Sequence, residues 1–495
     1  MVLLALLGGT MVTSVWAANL VWVLLGVNWL LEGRWSEKWQ MARESRLLQA
    51  WVVLYAVLLL GMIWTQNIGH GFDVLRVKLP VLLVPLVVLT TRPLEERSRR
   101  AVLWFYASVV VVVSMIGLVR IVTIPELPYR DAVPYVSHIR FALNCCMVIY
   151  ICMATMARVR SKWRWVALPV AVWMLTFVVM LHSYTALAVL AVVSLVTLLV
   201  YYRHWWMVGM WLVIVLTAGA IVGYEVRNYY RMVSLATEPL RAVTVNGNPY
   251  WHAEDGIIEN GNYVNNYICR EELRRGWERH SMLPYDSMTA AGYNVESTLV
   301  RYLNGMGQTK DSVGVASMSE TDIAAVERGV ANPVYEDGNV VKKMVYVMLL
   351  EREYYVHTNA VAGFTMLQRF ELWRTTIHLI GKNIWIGVGT GDVDDELHAL
   401  LDRQDSELSG TTKRSHNQYL SLVAAVGLIG FVIVAFLFIR TLAGRRIKLS
   451  PLMLAWLLTI LISCLTEDTL DTLAGILFCT YFLAFREQQC TNTTH

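Results

Sequence analysis

Apolar runs recur along this chain at close to the length needed to cross a lipid bilayer, and that feature leaves few architectures open. They fall at roughly residues 1–12, 15–31, 47–64, 77–90, 101–121, 138–157, 165–181, 184–201, 205–223, 418–439, 450–465 and 471–486. A helix needs about 20 apolar residues to span the hydrocarbon core at 1.5 Å rise per residue. With 56% of residues hydrophobic and only 16% charged, the chain is too apolar for a soluble protein of its size. The expectation is an all-α polytopic membrane protein of about 11–12 transmembrane helices. The first stretch is short, and some others are short enough to pair into re-entrant hairpins.

Orientation follows from Lys and Arg in alternate loops. One side holds Arg34, Lys38, Arg43 and Arg46, then Arg92, Arg97, Arg99 and Arg100, then Arg158, Arg160, Lys162 and Arg164, then Arg203, and finally Arg440, Arg445, Arg446 and Lys448. The short loops of the other side hold Arg76 and Arg130. The basic side is therefore read as cytoplasmic. This divides the chain into an N-terminal transmembrane bundle (1–223), a large, mainly helical extracytoplasmic loop or cap (224–417), the last three spans (418–486) and a cytoplasmic tail (487–495). The net charge of +4 is segregated by side, so it argues for membrane orientation and gives no reason to invoke nucleic acid. Of seven cysteines only Cys269 lies in the long polar segment, and no Cys/His spacing suggests a metal site. The NTT sequon at Asn492 falls in the tail and carries no expectation of glycosylation.

Residues able to carry chemistry gather around residues 364–431. His416 arrives just before an apolar run, which places an imidazole at a membrane boundary; it can accept a proton from a sugar hydroxyl near neutral pH. The plainer alternative is a helix start in SHNQYL, with Ser415 or Asn417 as cap. Arg369 offers a planar fork matched to phosphate, against the alternative of an interfacial arginine reaching lipid headgroups. It shares a helix face with Trp373, as Phe370 does with Arg374, so this segment can lie along a membrane. Arg374 and Arg414 carry the same two readings.

Arg140, in SHIRFALN, starts a span on the side where arginine is disfavoured, so an anionic substrate or a buried carboxylate must hold it there. Glu467, Asp468 and Asp471, between the last two spans, can pair with the arginines, orient His416 or cap a helix. Gly387, Gly389 and Gly391 miss the dinucleotide pattern because Asp392 stands where a further glycine is required, and they read as a tight turn.

Taken together, RFELW, the IGVGTGD turn, HNQYL followed by GLIGF, and EDTLDTLAG resemble the C-terminal signature region of the O-antigen ligase and polymerase family. LPVLLVPL, HIRFALN and HSYTALAVL fit that family's multi-span N-terminal half. The resemblance implies transfer of a glycan from undecaprenyl pyrophosphate to an acceptor at the periplasmic face of the bacterial inner membrane. The acceptor is a lipid A-core sugar in ligases and another lipid-linked glycan in polymerases.

The resemblance also implies His416 as the catalytic residue, Arg369 as a pyrophosphate ligand, and no metal or nucleotide cofactor. Where the family often has an arginine in an SRG-like motif, this chain has Tyr184 in HSYT. Arg140 is the substitute on physical grounds, with Arg414, Tyr184, Glu467 and Asp468 as supporting candidates. A transporter or flippase of lipid-linked sugars is the alternative from another class. Such proteins are often built from paired repeats, and no internal repeat is visible.

Overall fold

The apolar stretches become helices, and several of these begin on a polar side chain that satisfies a free N–H group. The computed structural model describes residues 1–124, 127–158, 162–202, 205–232, 236, 239–253, 255–358, 361, 363–443 and 449–486. Arg160, Arg203, Arg445, Arg446 and Lys448 of the basic loops, and Cys490 and Asn492 of the tail, lie outside them. Ser14, Ser45, Ser183 and Ser450 each accept a hydrogen bond from the backbone N–H three residues on, and Thr472 does the same for the last helix.

Among the described residues six helices are long and apolar enough to cross a membrane: Arg46–Ile63, Glu96–Thr123, His138–Ala157, Tyr184–Tyr201, Trp205–Tyr229 and Gln418–Leu442. The pair Val15–Leu31 and Trp35–Glu44, bent by 116°, makes a seventh if it is one span. Four further apolar helices, Val2–Thr13, Arg164–Met180, Pro451–Ser463 and Leu473–Phe485, are shorter. The stretch read as 77–90 belongs to a longer helix, Ile68–Leu89, whose first half carries Asp73, Arg76 and Lys78 and whose second half holds Pro80 and Pro85. The protein is an all-α polytopic membrane protein.

The described residues form two compact units, Met1–Gly209 with Arg369–His495, and Met210–Gln368. In the first, the helices share one apolar core in which Tyr106, Phe141, Phe177, Tyr481 and Phe482 are fully buried. Within this core the Tyr106 hydroxyl donates to Asn144 Oδ1 at 2.7 Å, so neither buried polar group is left unmet. Near the chain's end the Arg486 guanidinium donates to the carbonyls of Val88, Leu89 and Thr91, satisfying the C-terminal end of Ile68–Leu89 and the turn after it.

The second unit has the mixed character its sequence suggested. It combines a two-stranded antiparallel hairpin, Ile258–Glu259 with Asn262–Tyr263, and short helices around Trp277, Tyr285 and Tyr302. Its buried polar knot is Glu259. That carboxylate accepts from Arg301 Nε at 3.1 Å, from Asn332 Nδ2 at 2.7 Å and from the Tyr346 hydroxyl. A carboxylate taken out of water is tolerable only when its lone pairs are met in this way.

Candidate functional site

The end of the bundle that concerns function is assembled by one broken helix. Gln418–Ala443 is interrupted at Gly427, whose φ of 68° and ψ of 178° no helix contains. A break in an apolar span frees backbone groups that lipid cannot satisfy. Here the IGVGTGD segment supplies the partners: Val388 and Gly389 N–H donate to the carbonyls of Ala424 and Ala425 at 2.8 and 3.1 Å. In return Leu428 and Ile429 N–H donate to Ile384 and Trp385 at 2.8 and 3.2 Å. The turn expected from the glycines is thus also a splint. Asp392 ties its far end down by accepting the N–H groups of Gln66 and Asn67, both at 2.7 Å.

His416 stands just ahead of this helix. Of the two cap candidates, Ser415 and Asn417, it is Asn417 whose side chain caps the helix: its Oδ1 accepts from Tyr419 and Leu420 N–H, both at 3.1 Å. His416 itself adopts φ 51°, an uncommon conformation for a residue with a side chain. Its backbone N–H donates to Asp468 Oδ2 at 2.8 Å, and Asp468 Oδ1 accepts from the Ser421 hydroxyl at 2.8 Å. Asp468 therefore fixes the backbone of His416. Burial and its neighbour Asp471 push the Asp468 carboxyl up to about 6, against the hydrogen bonds and Lys78.

Arg369 lies on the inward face of Thr365–Lys382 and is 8% exposed. Its Nη2 donates to Glu467 Oε1 at 2.5 Å. Phe370, Arg374 and Ile377 occupy the exposed face, so the two arginines of this helix do not converge. Burial pushes the His416 imidazole below its ordinary value. Glu467 works against that shift, while Arg369, Lys413 and Arg140 add to it. Residues 140, 369, 416 and 467 are thus electrical neighbours although two helices and two loops supply them.

The remaining candidates fall around this group. Arg140 occupies the first turn of His138–Arg158, and its Nε is buried without a hydrogen-bond partner among the described residues. Such an orphan is costly unless something fills it. Tyr184 opens its helix and is 41% exposed. Its neighbour Thr185 shares a 3.2 Å hydroxyl contact with Thr466, beside Glu467. Arg414 is drawn away toward Asp394, at 3.0 Å, with Asp471 at 3.9 Å. Asp471 pairs with Lys78 as well.

Sequence reasoning missed Lys78, Lys413 and His138. The last is the first residue of the Arg140 helix and feels both Glu467 and Arg369. Its place two residues before Arg140 was the available signal.

Residues 340–435 match the family model described as O-antigen ligase. The resemblance read from the motifs is therefore shown over this stretch, which contains Arg369, the glycine turn, His416 and Gly427. No curated protein matches the chain.

Proposed function

We propose that this protein is a glycan transferase of the O-antigen ligase and polymerase type. It moves a glycan from undecaprenyl pyrophosphate to a lipid A-core sugar at the periplasmic face of the bacterial inner membrane. The observation that carries the reading is the grouping of His416, Arg369 and Arg140 at one place, with the first two inside the matched residues.

The acceptor hydroxyl attacks the anomeric carbon from the face opposite the carrier, so the configuration inverts. As that bond forms, the anomeric carbon–oxygen bond to pyrophosphate breaks and His416 takes the hydroxyl proton. The depressed proton affinity of His416 keeps it neutral, as a base must be, at neutral pH. Arg369 and Arg140 hold the diphosphate and take up the charge that develops on it. Preorganised cations in a water-poor site are the strongest device for this, and they require no metal for that task. The orphaned Nε of Arg140 is a donor in search of such an acceptor.

Reconstitution with purified lipid-linked glycan and a panel of acceptors tests the reading. Glycan appearing on a lipid A-core sugar is the expected product. Lengthened lipid-linked glycan would make the protein a polymerase, and glycan moved across the bilayer without a new bond would make it a transporter.

A further inference from the structure

The Arg369–Glu467 pair is built as an exchangeable contact. Arg369 can present two parallel donors to a carboxylate, yet among the described residues only Nη2 engages, and only Oε1 receives it. Among the described residues the Glu467 carboxylate has no other hydrogen-bond partner. The backbone around it is pinned instead: Glu467 N–H donates to Ser463 at 2.9 Å, Thr469 N–H donates to Glu467 at 3.0 Å, and Asp468 grips His416. A side chain held by one bond on a fixed backbone can turn without dismantling the loop.

Resting on the proposed transfer reaction, we propose that Glu467 is an internal stand-in for the donor's diphosphate, displaced from Arg369 when donor binds and left facing His416 as an uncompensated negative charge. The consequence is coupling. With the site empty, Arg369 cancels Glu467 and His416 is a weak base. With diphosphate on Arg369, the carboxylate is released to favour the imidazolium that forms as the acceptor attacks. Donor occupancy thus strengthens the base, which discourages proton abstraction when there is nothing to transfer. Glu467 in this account is a positioning and gating residue that acts through Arg369 and His416.

The test uses the full chain in detergent, with undecaprenyl pyrophosphate as the binding probe and lipid-linked glycan for turnover. Glu467→Gln removes the competing charge, so it is expected to bind the probe about tenfold more tightly and to lower donor KM. Its kcat is expected to fall because the imidazolium loses its partner. Glu467→Asp, with a shorter reach, should shift both quantities in the same direction by less, and serves if the glutamine variant does not fold. Were Glu467 merely orienting Arg369, both variants would bind more weakly. Unchanged or weaker binding, with wild-type binding still dependent on Arg369, overturns the stand-in and leaves the proposed function intact. Wild-type protein that binds no probe, with or without Arg369, overturns both.

Discussion

A Cβ placed on Gly427 would lie 2.2 Å from the Trp385 carbonyl oxygen. The backbone of the broken span and the backbone of the glycine turn meet there with no room for a side chain, at a φ that favours glycine. Gly427→Ala is therefore expected to cost at least the ~1–3 kcal/mol of an unfavourable backbone conformation. Melting in detergent should fall by several degrees. A wild-type melting temperature in a well-expressed alanine variant would show that the turn yields freely.

His416→Ala should lower transfer by about 10²–10⁴-fold with little change in melting, the range expected on losing a general base. The wild-type pH profile carries a sharper signature. Because burial, Arg369, Lys413 and Arg140 together outweigh Glu467, the imidazole protonates only below its ordinary value. Activity should persist as pH falls through 6.5 and drop at a lower pH, measured as kcat/KM for the donor. An acid limb above 6.5 would assign the titration to another group.

How much of this was legible before the structure depended on whether the signal was local. Apolar length and loop charge are local, so the helices and the ring of candidate residues could be read from the chain. The break at Gly427 could not, because GLIGF is apolar throughout and the strain is relieved by residues some forty positions upstream. Arg369 and Arg374 look equivalent in sequence, yet five residues on a helix turn them to different faces, and only packing reveals which is inward. His138 was passed over because a histidine beside an arginine has no pattern of its own. Its proximity to Glu467 exists only once the last two apolar helices have folded back.

Arg369→Lys should be nearly as damaging as Arg369→Ala. The ammonium keeps a charge for Glu467 but loses the planar fork, and it cannot grip a diphosphate through two parallel bonds. The two variants should differ in stability instead. Alanine leaves Glu467 buried without a counter-charge, a defect worth about 3–5 kcal/mol in buried pairs, whereas lysine retains most of the pairing. Turnover and melting measured together decide the matter. A lysine variant with full turnover would mean that the site needs only positive charge.

Asp468 gives the last prediction, on stability and pH. Its carboxyl is raised to about 6 in the folded protein from an unfolded value near 3.8, chiefly by burial and then by Asp471, with Lys78 and the bonds from Ser421 and His416 opposing. A group raised on folding contributes its stability where it is protonated and loses it as pH climbs through the folded value. Arg414, 3.9 Å from Asp471, and Lys78 are the cations that face this pair of carboxylates. Asp468→Asn removes the titration while keeping one carbonyl acceptor for Ser421. Its Nδ2 cannot accept the His416 N–H, which imposes a penalty that does not vary with pH. Melting temperature of the wild type minus that of the asparagine variant should therefore be greatest below pH 4 and decline between pH 4 and somewhat above 6. A difference that stays flat across that interval, or grows, would mean that Asp468 remains ionised throughout and that its hydrogen bonds to His416 and Ser421 outweigh its burial.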